Sequence, residues 1–411
     1  MILPFVLLLA AIALGPLVAR KLWGRHYPKI SLLLGAVTLG YYLFVLHDYS
    51  HVGHVAHEYL SFIALVGSLF VVSGGIHIRV KSGASPGLNV LFLFAGAVIA
   101  NFLGTTGAAM LMIRPWLRMN QPRIAAYHVV FFIFIVANIG GCLTPIGDPP
   151  LFLGYLSGVP FWWVIQNAWP IWLVGVGLLL AIFYGIDRLN YHRNPVPQAS
   201  AASIDGWGFA GGINLIFLAV ILGAVFVDKP TGVREALMLG AGIGSYFSTA
   251  RKIHAANDFN FHPIQEVAIL FIGIFATMMP ALDWLNANAR ELLGQNPSAG
   301  TFFWGTGVLS SLLDNAPTYL GFLSALFGTS GTSHIDELLA QHSRNILAIS
   351  IGAVFFGAAT YIGNGPNFMV KAVADQNQVP AVGFLGFIFK YTLPSLLPVL
   401  LIIWLIFFLD N

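Results

Sequence analysis

The polar positions of this chain are islands between long apolar runs. Hydrophobic stretches of roughly 18–25 residues recur without period-two alternation, which points to transmembrane helices and away from barrel strands. The pattern predicts full crossings near 2–19, 30–46, 59–78, 124–162, 168–186, 210–227, 232–250, 264–282, 344–377 and 391–409. Of these, 124–162 and 344–377 are too long for one continuous span, so each is read as a broken helix with a short continuation. Two further stretches, 87–119 and 301–328, are read as re-entrant hairpins that enter and leave on one side. The expected fold class is an all-α polytopic membrane protein with about ten crossings plus two re-entrant hairpins.

The basic residues set the expected orientation. With the amino terminus outside, Arg20, Lys21, Arg25, Lys29, Arg79, Lys81, Arg114, Arg118, Arg123, Arg188, Arg193, Arg251, Lys252, Lys371 and Lys390 fall at cytoplasmic ends. Only Lys229, Arg234, Arg290 and Arg344 fall outside, a positive-inside bias. If 87–119 crossed the membrane, the cluster from Arg114 to Arg123 would change sides, so the bias supports the hairpin. The first apolar run precedes its positive charges, the reverse of a signal peptide, and is read as a retained helix. Both termini are expected outside, in a multi-pass protein of a bacterial inner membrane.

The two overlong crossings contain related stretches. TPIGDPPLF begins at Thr144 and TYIGNGPNF at Thr360, with Thr, Ile, Gly, Pro and Phe recurring in register and Asp148 replaced by Asn364. Segment 59–78 corresponds to 264–282, and hairpin 87–119, with Gly104-Thr105-Thr106-Gly107 near its tip, to hairpin 301–328, with Asp314-Asn315-Ala316-Pro317. Five predicted crossings separate the starts of the copies, and an odd number inverts the second. Gly and Pro break a helix at membrane depth and free backbone groups, which cost several kcal/mol each unless a polar partner satisfies them. In an inverted-repeat transporter that partner is an ion or substrate, with half-helix N-termini facing anions and carbonyl ends facing cations.

Composition narrows the function. The chain is 57% hydrophobic and only 9% charged, whereas a soluble domain carries roughly a quarter charged residues. Mean hydropathy is +0.81. A net charge of +3 argues against a nucleic-acid partner, and one cysteine, Cys142, excludes an intrachain disulfide. No phosphate-binding loop, HExxH or GxSxG is visible, so neither primary pumping nor hydrolysis by this chain is expected, and no cofactor.

Asp148 and Asp314 are the sharpest candidates, because a carboxylate at mid-membrane costs roughly 2.5–3.5 kcal/mol on insertion scales and is functional by default. Their bland alternative is helix capping. Thr105, Thr106, Asn138, Thr144, Asn315, Thr318, Thr360, Asn364 and Asn367 supply hard oxygen ligands suited to Na⁺, or else ordinary interhelical hydrogen bonds. His128 is a candidate proton relay, or a packed neutral histidine. Arg114 and Lys371 read as interfacial anchors, with Arg114 also able to attract an anion. His47, His51, His54 and His57 cluster with Asp48 and Glu58 in the first outside loop, where a solvated loop is favoured over zinc binding or pH sensing. Cys142 reads as a packing residue.

At NFLGTTGAAMLMIRP, NIGGCLTPIGDPPLFLG, LLDNAPTYL and GAATYIGNGPNFMVKA the sequence resembles the ion transporter superfamily, nearest the branch of sodium/proton antiporters, arsenite permeases and citrate-type transporters. The resemblance covers most of 58–409. It implies N-terminal scaffold helices in 1–57, a first inverted repeat in 58–190, a linker with two connecting helices in 191–262, a second repeat in 263–411, a homodimer and elevator-like movement. Sodium-coupled carboxylate symporters of the superfamily tend to carry Ser-Asn-Thr at both hairpin tips. Here the tips are Thr105-Thr106 and Asp314-Asn315, which leans towards cation handling. The first expectation is therefore Na⁺/H⁺ antiport, with Asp148 and Asp314 alternately binding protons and Na⁺ or Li⁺. The alternative is a cation-coupled transporter of citrate or another carboxylate. An intramembrane aspartyl protease is a remote third, disfavoured because an enzyme needs no mirrored broken helices.

Overall fold

Glycine and proline decide where the helices of this chain bend and stop. A computed structural model describes residues 1–194, 206–227, 229–332, 334–379 and 382–409. Helices α1 (Leu3–Val18) and α2 (Arg20–Tyr41), a π-helical turn (Tyr42–Leu46) and α3 (Tyr49–Gly74) precede strand β1 (His77–Arg79) and α4 (Pro86–Asn120). The first broken segment is α5 (Ala126–Ile135), a 3-10 turn (Ile139–Leu143) and α6 (Pro149–Leu156). Then come α7 (Phe161–Arg193), β2 (Gly208–Ala210), α8 (Asn214–Ala224), α9 (Val233–Ser248) and α10 (Arg251–Ala256). The second half runs through α11 (His262–Leu293), α12 (Ala299–Ser310), α13 (Asn315–Ser330), α14 (Ile335–Gln341), α15 (Ser343–Gly357) and α16 (Gly365–Gln376). It closes with α17 (Phe384–Phe387), a π-helical stretch (Ile388–Leu396), α18 (Leu397–Ile403) and a last π-helical turn (Trp404–Phe408).

Both expected hairpins are present. Helix α4 spans 35 residues but turns at Gly104, where φ is 72° and ψ 158°, a conformation glycine adopts without the Cβ penalty. In a straight helix, residues 31 apart stand about 46 Å apart, yet Asn89 Nδ2 donates to Asn120 Oδ1 over 2.7 Å. The Phe92 and Trp116 rings stack across the same hairpin. Helices α12 and α13 form the second hairpin around Asp314, with Phe302 against Phe322.

The two breaks share one close contact. A Cβ on Gly147 would lie 1.9 Å from the Gly141 carbonyl oxygen, and a Cβ on Gly363 would lie 2.7 Å from that of Gly357. The backbones approach so closely that only glycine fits, and this holds Gly147 against the 139–143 turn and Gly363 against the end of α15. Around the breaks the halves interlock: α16 packs on α4 and α5, α13 on α6, and α15 on the 139–143 turn. Helix α5 is buried from Tyr127 to Ile135. Lipid tails are as apolar as these side chains, so the advantage of burying them is tight packing between helices. Helices α1 and α2 lie on α11, while α3 packs on α8, α9 and α11.

Among the described residues, seven helical segments are long and apolar enough to cross a membrane, including the folded-back 86–120 stretch, and Leu3–Val18, Asn214–Ala224 and Ser343–Gly357 are shorter apolar helices. The molecule is an all-α polytopic membrane protein. Some details depart from the sequence reading. The charged stretch 20–29 is helical, because Trp23 folds back against Gly15 and the chain turns within one residue, Ala19. The histidine cluster is solvated as expected but is helical, not a loop: the Asp48 carboxylate accepts from His51 N, and helix α3 begins at Tyr49, so only His47 stays outside it. Three-residue strands β1 and β2 pair antiparallel, too short to show in the hydrophobic pattern. In the expected linker 191–262, residues 195–205 lie outside those described.

The glycine contact predicts that Gly147→Ala lowers thermal stability in detergent by roughly 1–3 kcal/mol or more, as overpacking does. Gly177→Ala, where a Cβ meets nothing within 4 Å, leaves the melting temperature unchanged. Equal melting curves for the two variants refute the steric account.

Candidate functional site

The first break leaves Asp148 at the cap position of α6 in extended conformation, yet its side chain makes no cap hydrogen bond. It turns instead towards three other elements. Thr105 Oγ1, at the tip of the first hairpin, donates to Oδ1 over 2.6 Å. Asn315 Nδ2, at the tip of the second hairpin, donates to Oδ2 over 3.0 Å. Asn364 Nδ2, at the second break, reaches Oδ1 over 3.3 Å. Both hairpin tips and both breaks thus meet on one carboxylate that is 1% exposed. All three donors are neutral. Hydrogen bonds of this kind offset part of the cost of burying a charge, and the remainder calls for a proton or cation.

A carboxamide chain extends from this point. Asn364 Nδ2 also approaches Asn138 Oδ1 at 3.1 Å, and Asn138 Nδ2 donates to Asn367 Oδ1 at 2.6 Å. Asn138 also binds the Ile133 carbonyl, and Asn367 binds those of Gly357 and Thr360. These amides satisfy carbonyls that the helix breaks released. Thr144 and Thr360 stand one step back: Thr144 Oγ1 donates to Asn101 O at 2.7 Å and Thr360 Oγ1 to Ser311 O at 2.6 Å, each tying a break to its hairpin. Thr106 lines a small crevice beside Asp148 without joining its hydrogen bonds.

Asp314 sits apart. Its carboxylate accepts from Ala316 N and caps α13, and Thr318 Oγ1 donates to its main-chain oxygen. The side chain lines a cleft of about 120 Å³ with Glu266, Trp23, Asn364 and Phe368. Asn364 is the wall common to this cleft and the Asp148 cluster. Among the described residues no hydrogen bond joins the two aspartates, so the geometry contains no shared-proton dyad of the kind an aspartyl protease needs.

His128 lies elsewhere. Its Nδ1 accepts from Ala125 N, and its Nε2 lies 3.3 Å from Asp187 Oδ1. Asp187 also accepts from Tyr127 Oη and Asn89 and forms a buried ion pair with Arg123. This second cluster clamps the open end of the first hairpin to α7, and no polar chain links it to Asp148 among the described residues. Arg114 pairs with Asp258 at 3.3 Å, and Lys371 pairs with Asp375 at 2.8 Å. Cys142 is buried. His54 meets Glu58 at 3.3 Å, but no group of three His, Cys, Asp or Glu able to hold a metal occurs among the described residues.

Three residues escaped the sequence reading. Asn101 accepts from Leu143 N and donates to Gly140 O, stapling the first hairpin to its break. Ser310 does the same in the second half through Ala353 O and Asn315 Oδ1. Asp187, an acid within an apolar helix, was the visible signal, masked by the neighbouring Arg188 at the predicted membrane edge.

Residues 1–408 match a family model described as "Putative citrate transport". The chain is 25% identical over 325 residues to a 46 kDa membrane protein of Mycobacterium leprae, an alignment covering 73% of this chain and 72% of that protein. It is 24% identical over 319 residues to an uncharacterized transporter of Synechocystis, covering 68% of each. The carboxylate held where two hairpins and two broken helices meet lies within a membrane transporter, for the chain belongs to that citrate-transport family.

Proposed function

We propose that this transporter carries a citrate-type carboxylate together with a cation or proton, and that Asp148 is the coupling group. One observation carries the reading: a nearly inaccessible carboxylate is held by Thr105, Asn315 and Asn364, all neutral, at the junction of both hairpins and both breaks. Family membership supplies the substrate class. No Lys or Arg lines the Asp314 cleft or the crevice at Asp148. An organic anion therefore enters this region with its charge offset by a cation, since an unpaired charge is expensive there. Binding the ion at Asp148 links the two hairpins and favours a conformation that the empty carboxylate does not, which couples ion and substrate through population shift. The recurring order of elements and the repeated glycine contact support inverted copies acting around one central site. The bacterial relatives support a bacterial inner membrane.

The absence of basic residues there, with Asp314 as a second carboxylate, favours one other reading: Na⁺ or Li⁺ exchange for H⁺ with no organic anion.

Proteoliposomes separate the two. Labelled citrate should accumulate when a cation or proton gradient is imposed. Dequenching of an internal pH dye by Na⁺ or Li⁺, with no citrate uptake, overturns the carboxylate reading in favour of exchange. Asp148→Asn removes the titratable charge while keeping the shape, so coupled flux should fall at least roughly a hundredfold. Asn315→Ala deletes one hydrogen bond that stabilises the empty carboxylate, typically worth 1.5–3 kcal/mol, so the affinity of Asp148 for its proton or cation should rise roughly ten- to a hundredfold and release should slow, at unchanged expression. Wild-type ion dependence in Asn315→Ala removes Asp148 from the coupling site.

A further inference from the structure

The open ends of the two hairpins are built differently. At the first, Arg123 is buried and paired with Asp187, and its Nη2 donates to Ala84 O over 2.9 Å. Tyr127, Asn89 and His128 also meet this carboxylate, and the guanidinium charge is paired. At the second, the place between the start of α12, the end of α13 and the start of α15 is a cleft of about 750 Å³. Arg290, His342, Asn296, Ser298 and Ser330 line it, and among the described residues no carboxylate does. Arg290 Nε donates to a neutral acceptor, Thr329 O, over 3.1 Å. Among the described residues Arg290 makes no ion pair. Arg344 serves as a wall, anchored to the Phe407 and Leu409 carbonyls.

We propose that this cleft is a binding site for a small polycarboxylate anion, with Arg290 as its charge partner, separate from the Asp148 cluster. A guanidinium presents five N–H donors in a planar fork. With Nε engaged, the two terminal nitrogens remain for the two oxygens of one carboxylate. Asn296, Ser298 and Ser330 offer donors and acceptors to further carboxylates or a hydroxyl. The first hairpin meets the same kind of charge with its own Asp187, and the second leaves that position to a ligand. A basic, polar-walled cleft also concentrates anions from solution. The site lies at the base of the hairpin whose tip carries Asn315, a partner of Asp148. Naming citrate as the probe rests on the citrate-type reading above; the anion site itself does not.

Cys142 is buried, so Gln295→Cys, at a wall position of the cleft that the proposal gives no role, provides one reactive thiol there. The full chain is placed in nanodiscs of phosphatidylcholine, which carries no net charge, and labelled with a membrane-impermeant maleimide with and without citrate. Citrate should slow labelling. Adding Arg290→Gln should weaken that protection roughly tenfold in citrate concentration, the loss of one charged contact. Adding Asp148→Asn should leave it intact. No protection in the parent, protection indifferent to Arg290→Gln, or protection lost with Asp148→Asn each overturns the proposal. Protection by phosphatidylglycerol in place of citrate assigns the cleft to a lipid headgroup and overturns it too. Protection by citrate without citrate uptake in proteoliposomes sustains the cleft and removes the transport reading instead.

Discussion

The structure depends on how one buried carboxylate is satisfied. Asp148 has no cationic partner, and its oxygens are met by a hydroxyl and two carboxamides from separate segments. Neutral donors make the charge tolerable without cancelling it, which suits the coupling role proposed for Asp148. A lysine or arginine in that position would make a permanent pair and remove the reason for an ion to bind. The contrast is within the molecule: Asp187 has a buried arginine, and its cluster serves as a clamp.

The helix breaks follow from the same constraint. Unwinding a helix at membrane depth exposes carbonyls and amides that lipid cannot satisfy. Asn101, Asn138 and Asn367 donate to the carbonyls of Gly140, Ile133 and Gly357, so side chains take the place of the missing helical bonds there. The glycine pairs Gly141–Gly147 and Gly357–Gly363 bring the backbone close enough for the amides to reach.

The two halves are similar in order and different in charge. Asp148 in the first break is Asn364 in the second, and Leu151 is Asn367. Asn364 donates to Asp148 and Asn138 of the first break, and Asn367 accepts from Asn138, which joins the halves across one point. The hairpin bases differ in the same sense, one sealed by an ion pair and the other open around Arg290.

Much of this was legible along the chain. Run length and low charge determined a helical membrane protein, and the paired Gly/Pro-broken motifs marked where backbone is freed. Positive φ at Gly104 was implicit in the GTTG tip. Asp148, Thr105, Asn315, Asn364, Asn138 and Asn367 were named from residue type and membrane depth, and they meet in space. Which acid sits in the network was not legible, because Asp148 and Asp314 have the same cap-like sequence context. Only the folded chain shows that Asp314 caps its helix while Asp148 turns away from its own. The helical histidine cluster, the Asp187 clamp and the open cleft at Arg290 were also hidden, for one reason. Depth and helix breaks are local properties that periodicity records, whereas the partner of a charge is set by which helices pack together, and that is decided only in the tertiary structure.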